Sequence, residues 1–93
     1  MSVLRFGWSA AKAAQNLRKH HVSIDAAVTV FGDEQARLIA DPDHSLEENR
    51  FALLGLNGPL RLPVVVHCYR AGDDLIRLIS ARRAIRAEAR QYG

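Results

Sequence analysis

The stretch RFALLGLNGPLRLPVVVHCYRAGDDLIRLIS, Arg50 to Ser80, decides how this chain folds. Arg50 to Leu56 and Leu60 to Tyr69 are rich in aliphatic and β-branched residues. The turn signal Asn57-Gly58-Pro59 separates them. Ala71 to Asp74 forms a second turn, and Leu75 to Ser80 then carries aliphatics on both alternating sets, Leu75/Arg77/Ile79 and Ile76/Leu78/Ser80. A strand with apolar residues on both sets is central to a sheet. Connections this short make hairpins, so the three runs form an antiparallel meander. Pro63 has no N–H to donate, which points to an edge or a bulge near it.

Upstream the period lengthens. Ser9 can cap a helix running to about His20, and Ser23 can cap a second through Phe31. In the first helix Ala10, Ala13, Ala14 and Leu17 share one side, and Lys12, Asn16, Lys19 and His20 share the other. Ile24, Ala27, Val28 and Phe31 make the apolar stripe of the second. Arg37 to Ala40 is a weak strand, followed by a polar loop from Asp41 to Glu47. Met1 to Gly7 reads as an extended lead-in. Downstream, a last helix is expected from about Ala81 to Gln91. The result is an α+β domain: two N-terminal helices, a three- to four-stranded antiparallel meander and a C-terminal helix.

Composition sets the limits. The chain has 93 residues, 48% hydrophobic and 25% charged, which suits one globular domain, 1–93, with a real core. The net charge of +3 favours a polyanionic partner: nucleic acid, an acidic protein or a membrane surface. A single cysteine, Cys68, rules out an internal disulfide and fits a reducing compartment. The longest apolar run, Leu62 to Val66, is far too short to span a bilayer, and no signal segment opens the chain. A cytoplasmic protein without a membrane partner is therefore expected.

Several polar groups have the chemistry for a phosphate site. On the expected last helix Arg82, Arg83, Arg86 and Arg90 share a side, and arginine's planar fork matches phosphate oxygens. The same stripe also reads as a solvated face. Glu88 lies with the core side and calls for a cationic partner, since a lone buried carboxylate is costly. Lys19 could hold phosphate while His20 moves protons. Both also suit the C-terminal end of a helix for purely structural reasons. His67, two residues after Val65, lies at the core edge or in a cleft as a catalyst or as a satisfied structural histidine, and Arg70 closes its strand. Cys68 falls on the opposite strand face, which argues against a Cys–His pair. His20, His21, His44 and His67 lack zinc-type spacing, so no metal and no cofactor is expected. Trp8 suits a staple onto the first helix.

These residues line up with a known pattern. Phe6-Gly7-Trp8, Lys12, Asn16, Lys19-His20 and Val22 resemble the opening of BrnT-family toxins. Arg50-Phe51 with Leu54-Gly55 resembles their following strand. Val65-Val66-His67, Arg70, Ile79-Ser80-Ala81-Arg82, Ala84, Glu88 and Tyr92 resemble their later segments. The match spans nearly the whole chain. Gly7, Ser9-Ala10, His21 and Cys68-Tyr69 depart from it; His21 stands where the family usually has glycine.

The resemblance implies a fold similar to RelE-like ribonuclease toxins and RNA cleavage that slows translation. It also implies a BrnA-like ribbon-helix-helix antitoxin, through which the complex binds operator DNA. The matching polar positions are Lys12, Asn16, Lys19, His20, His67, Arg70, Arg82 and Glu88. The mechanism expected is metal-free attack of the ribose 2′-OH on its own phosphate. His20 or His67 would transfer protons, and Lys19, Arg70 and Arg82 would hold the developing charge. Lys12, Asn16, Arg83 and Arg86 would bind RNA, with Glu88 in support. Two other readings of the residues stay open: a non-catalytic basic module that binds nucleic acid or an acidic partner, and a structural subunit whose arginines dock a partner.

Overall fold

A computed structural model describes residues 5–40, 50–58, 61–69 and 75–92. The elements run β1 (Arg5–Gly7), α1 (Ala10–His20), α2 (Ile24–Val28), a 3₁₀ turn (Thr29–Gly32), β2 (Arg37–Ile39), β3 (Arg50–Leu54), β4 (Pro63–Tyr69), β5 (Leu75–Arg83) and α3 (Arg86–Ala89). They build one five-stranded sheet in the order β1-β5-β4-β3-β2. The expected loop from Asp41 to Glu47, the turn from Ala71 to Asp74 and Arg70 lie outside the described residues.

Strands β2 to β5 form the antiparallel meander expected. The lead-in departs from expectation: Arg5–Gly7 is a strand and pairs parallel with Leu75–Arg77, so the sheet is mixed. Pro63 is the first residue of an inner strand, the one place there where a missing N–H costs no ladder bond. The irregularity lies further along, between Val66 and His67. Val66 pairs with Ser80 and His67 with Leu78, which leaves Ile79 as the extra residue of β5. That residue resets the alternation. Ala81 joins Ile76 and Leu78 in the core beneath the helices, whereas strict alternation would send Arg82 there.

Val22, Ile24, Ala27 and Val30 cover that face, packing against Val65, Ile76, Leu78 and Ala81. The opposite face, with Ala52, Leu54 and Val64, is covered by Ala84 and Tyr92 of the C-terminal segment. Gly55 fits between the layers because a Cβ there would lie 2.7 Å from Val30 Cγ1. Asp33 ties the segments together: it accepts from the Leu56 N–H at 2.8 Å and from the Tyr92 hydroxyl at 2.6 Å.

Both helix caps are as the sequence predicts. The Ser9 and Ser23 hydroxyls accept from the Lys12 and Ala26 N–H groups, each at 3.1 Å. The orientation of α1 is not as predicted. Ala10, Ala14 and Leu17 are exposed, and α1 turns Ala13, Asn16 and His20 inward. Alanine has little surface to bury, so hydrogen bonds decide the face. Asn16, 6% exposed, donates from Nδ2 to the carbonyls of Val22 and Ala81, both at 2.9 Å. Its Oδ1 accepts the Ala81 N–H at 3.0 Å. Asn16 was expected to face RNA; its amide is instead spent on backbone.

Asn16→Leu keeps the bulk but strands two buried backbone groups of Ala81, so the expected loss is about 3 kcal/mol. Urea unfolding should show an earlier midpoint at unchanged slope; a loss under about 1 kcal/mol would show that the clamp is not what seats α1. His21 ends α1 in the left-handed region with φ 59°, its N–H bonded to the Leu17 carbonyl at 2.9 Å. His21→Gly removes a steric cost but loosens the unfolded chain, for a net gain of about 0.5–1 kcal/mol. A Tm several degrees higher is the expected reading.

Candidate functional site

The last turn of α1 carries Arg18, Lys19 and His20, where the helix presents its unpaired carbonyls to basic groups. Lys19 is exposed, and His20 is half-buried. Burial holds the His20 imidazole below its ordinary pKa, and the positive charges of Lys19 and Arg82 push it further down. Both cations act electrostatically on the His20 ring, which makes Lys19, His20 and Arg82 a candidate site. At neutral pH His20 is a free base with two cations at hand.

Arg82 reaches this site from β5, where it was expected on a helix. The strand continues to Arg83 because Pro63–Val65 pairs with Ala81–Arg83, and α3 is only four residues long. The expected four-arginine stripe therefore does not form. Arg82 and Arg83 leave opposite sides of a strand, while Arg86 and Arg90 are exposed around α3. Ile85 is 61% exposed. The segment helix-prone by composition is held extended by long-range pairing.

Glu88 does find the cation it calls for. Arg82 Nη1 and Nη2 each donate to one Glu88 oxygen at 2.8 Å, a bidentate pair, and Nη1 also donates to the Arg83 carbonyl at 3.3 Å. Glu88 Oε1 accepts the Ile85 N–H at 3.0 Å, which caps the start of α3. The Arg82 hydrogen bonds hold the Glu88 carboxyl below the usual carboxylate range against the opposing effect of burial.

His67 lies elsewhere. It is fully buried on β4, with Nδ1 at 3.1 Å from the Val65 carbonyl. A carbonyl only accepts, so Nδ1 carries the proton and Nε2 is a bare acceptor, buried with no partner. Phe31, Phe51 and Tyr69 surround the ring at centroid distances of 4.9, 5.9 and 5.4 Å. Burial alone depresses its pKa, with the Val65 carbonyl opposing, and neither Lys19 nor Arg82 contributes. The structure thus separates the two histidines that sequence left as alternatives: His20 is at the cationic end of α1, and His67 is sealed among aromatic rings.

The remaining expected residues are spread out. Lys12 is exposed near the start of α1, beside a recess of about 430 Å³ that Trp8 and Arg77 also line. Trp8, expected as a staple onto the first helix, lines this recess with Lys12 of α1 and is 38% exposed. Arg83 and Arg86 are exposed, and Asn16 acts on the site only by holding β5. Cys68 faces away from His67, as alternation requires. Among the described residues no group of three His, Cys, Asp or Glu side chains converges to hold a metal ion.

Glu88→Gln removes a charge from a buried bidentate pair and is expected to cost about 2–3 kcal/mol near neutral pH. The folded-state pKa of Glu88 is depressed, so this stabilisation is present above the ordinary glutamate pKa and is lost as pH falls below it. Unfolding curves of wild type and E88Q should therefore be well separated at pH 7 and converge in acid. Curves that stay equally far apart down to pH 3 would remove the ion pair as the cause.

Comparison with known proteins agrees with this architecture. A sequence model of the family described as the ribonuclease toxin BrnT of a type II toxin–antitoxin system matches residues 8–88. Among curated proteins nothing matches. The crystal structure of the Brucella abortus ribonuclease toxin BrnT is similar in fold, with a TM-score of 0.68 at 17% identity over 90% of this chain and 100% of that one. At such identity the likeness speaks for the fold, while the family model covers nearly the whole chain. The chain belongs to the BrnT family of ribonuclease toxins of type II toxin–antitoxin systems.

Proposed function

We propose that this chain cuts RNA without a metal ion at the Lys19–His20–Arg82 end of the molecule, and so slows translation in the cytoplasm. A ribbon-helix-helix antitoxin of the BrnA kind silences it, and the complex binds operator DNA through that antitoxin. The observation that carries the site assignment is the place of His20 at the basic last turn of α1, half-buried, its pKa lowered first by burial and then by the charges of Lys19 and Arg82.

The chemistry follows from that field. His20 takes the proton of a ribose 2′-OH, whose oxygen then attacks the adjacent phosphorus. A 2′,3′-cyclic phosphate forms as the bond to the 5′-oxygen breaks. The proton returns from the His20 imidazolium to that departing oxygen, so protons balance. Two cations make protonation of His20 costly in the free protein. A bound phosphodiester offsets them, and the phosphorane, with its extra negative charge, offsets them further. His20 thus becomes a better base as the transition state approaches. Lys19 and Arg82 serve as the charge clamp, and Arg70 is assigned with them from the family pattern. Lys12, Arg83 and Arg86 are exposed cations suited to the RNA backbone. Glu88 supports by fixing Arg82 in a bidentate pair.

One observation favours the non-catalytic alternative, a basic module that only binds nucleic acid or a partner: Arg82 already spends two donors on Glu88. Incubation with RNA in EDTA separates the readings. Cleavage that leaves 2′,3′-cyclic ends, with DNA bound but uncut, is the expected result. A folded chain that shifts RNA on a gel and leaves it intact would establish the binding module instead. His20→Gln should lower kcat/KM by about 10²–10⁴ while RNA affinity changes only a few-fold. Because the His20 pKa is lowered in the free protein, kcat/KM should hold below the ordinary histidine range and fall only at more acidic pH. Loss of activity already above pH 6.5 would remove His20 as the base.

A further inference from the structure

Beside the cationic site lies a cavity of about 630 Å³, enclosed by the end of α1, the start of α2, the β3–β4 turn, the end of β5 and α3. Its size is that of a small-ligand site. We propose that it is a nucleotide subsite, receiving the base and phosphate of the residue next to the cut. This rests on the ribonuclease reading above.

Three features of the lining specify a nucleotide. Leu17, Leu62 and Ala84 supply apolar wall. Leu17 is 50% exposed, an aliphatic surface that the fold leaves uncovered. Arg61 and Arg83 supply positive charge; neither has an ion-pair partner among the described residues, and no acidic side chain lines the cavity. Asn57 supplies a polar edge: its Oδ1 is buried and has no hydrogen-bond partner. A buried unpaired amide oxygen is costly, and a donor from a ligand would satisfy it. Apolar walls, an unpaired amide and two free arginines match the flat face, the hydrogen-bonding edge and the phosphate of a nucleotide.

The turn that presents Asn57 is fixed by its own backbone. The Asn57 N–H bonds to the Arg61 carbonyl at 3.1 Å, and the Arg61 N–H to the Gly58 carbonyl at 3.4 Å. Gly58, at φ 152°, holds a conformation that favours glycine. These backbone bonds hold Asn57 and Arg61 close to each other at the cavity wall. The cavity lies next to the candidate cleavage residues along the chain. His21 and Arg83, which line it, are the chain neighbours of His20 and Arg82. A nucleotide held there would select which base flanks the scissile phosphate.

An NMR titration of the full chain with the four 3′-ribonucleotide monophosphates, with inorganic phosphate as control, tests this. Shifts at Leu17, Asn57, Arg83 and Ala84 are expected, with affinities that differ at least five-fold among the bases. Arg83→Ala should weaken all four about equally, whereas Asn57→Ala should erase the difference between bases. The subsite is overturned if nucleotides shift only Lys19 and His20, or if phosphate alone binds as tightly as every nucleotide. It is also overturned if these residues respond to an acidic peptide of the antitoxin and to no nucleotide; the cavity is then a partner-docking surface. RNA cleavage is scored separately. Cleavage without nucleotides entering the cavity sinks the subsite alone. Nucleotides entering without cleavage sink the ribonuclease reading and leave a binding site.

Discussion

The carboxamide of Asn16 on the backbone of Ala81 is the constraint on which the rest depends. Strand β1 covers β5 only from Leu75 to Arg77, so further along β5 the edge would leave the Ala81 N–H and C=O bare. Asn16 supplies both partners, one acceptor and one donor, as a neighbouring strand would. Through its second donor contact, to Val22, it also fixes the chain reversal after α1. The position of the cationic site follows. His20 lies one helical turn beyond Asn16, and Arg82 follows Ala81 directly, so the contact that seats α1 brings His20 within reach of the Arg82 charge.

The bulge at Ile79 and the pair with Glu88 complete that placement. The extra residue sends Ala81 into the core and Arg82 out of it. Without it the guanidinium would point at the layer formed by Val22, Ile24 and Val30, where an unpaired charge is prohibitive. Once outside, Arg82 is held by both carboxylate oxygens of Glu88, which in turn caps α3. The segment after β5 is thus ordered by the same ion pair that orients the cation.

The sequence reveals what is local. Both serine caps, the end of α1 and the β3–β4 hairpin are signalled by neighbours a few residues apart, and they form where expected. Three features were hidden because their cause is distant. Arg5–Gly7 has no strand signature, and its pairing with Leu75–Arg77 is visible only in three dimensions. Ala81 to Arg83 has helical composition, yet Pro63–Val65 and Asn16 hold it extended. The inward face of α1 is set by a hydrogen bond to a residue 65 positions away, which outweighs Ala10, Ala14 and Leu17. At the candidate site, Lys19–His20 and Arg82 were legible from their chemistry and from their fit to the family pattern. Asn57 and Arg61 were passed over, since a turn asparagine carries no chemical signal until its oxygen is found buried and unpaired.

The two histidines show why pKa direction alone assigns no role. Both are depressed, and both are neutral at pH 7. For His67 the cause is burial among Phe31, Phe51 and Tyr69, a cost that an arriving anion cannot reach or relieve. For His20 part of the cause is repulsion by Lys19 and Arg82, which an arriving phosphate reverses in sign. Only a depression of the second kind can be undone by substrate at the moment a proton must move. The distinction rests on which groups face each ring, and on it rests the proposal that His20, not His67, transfers the proton.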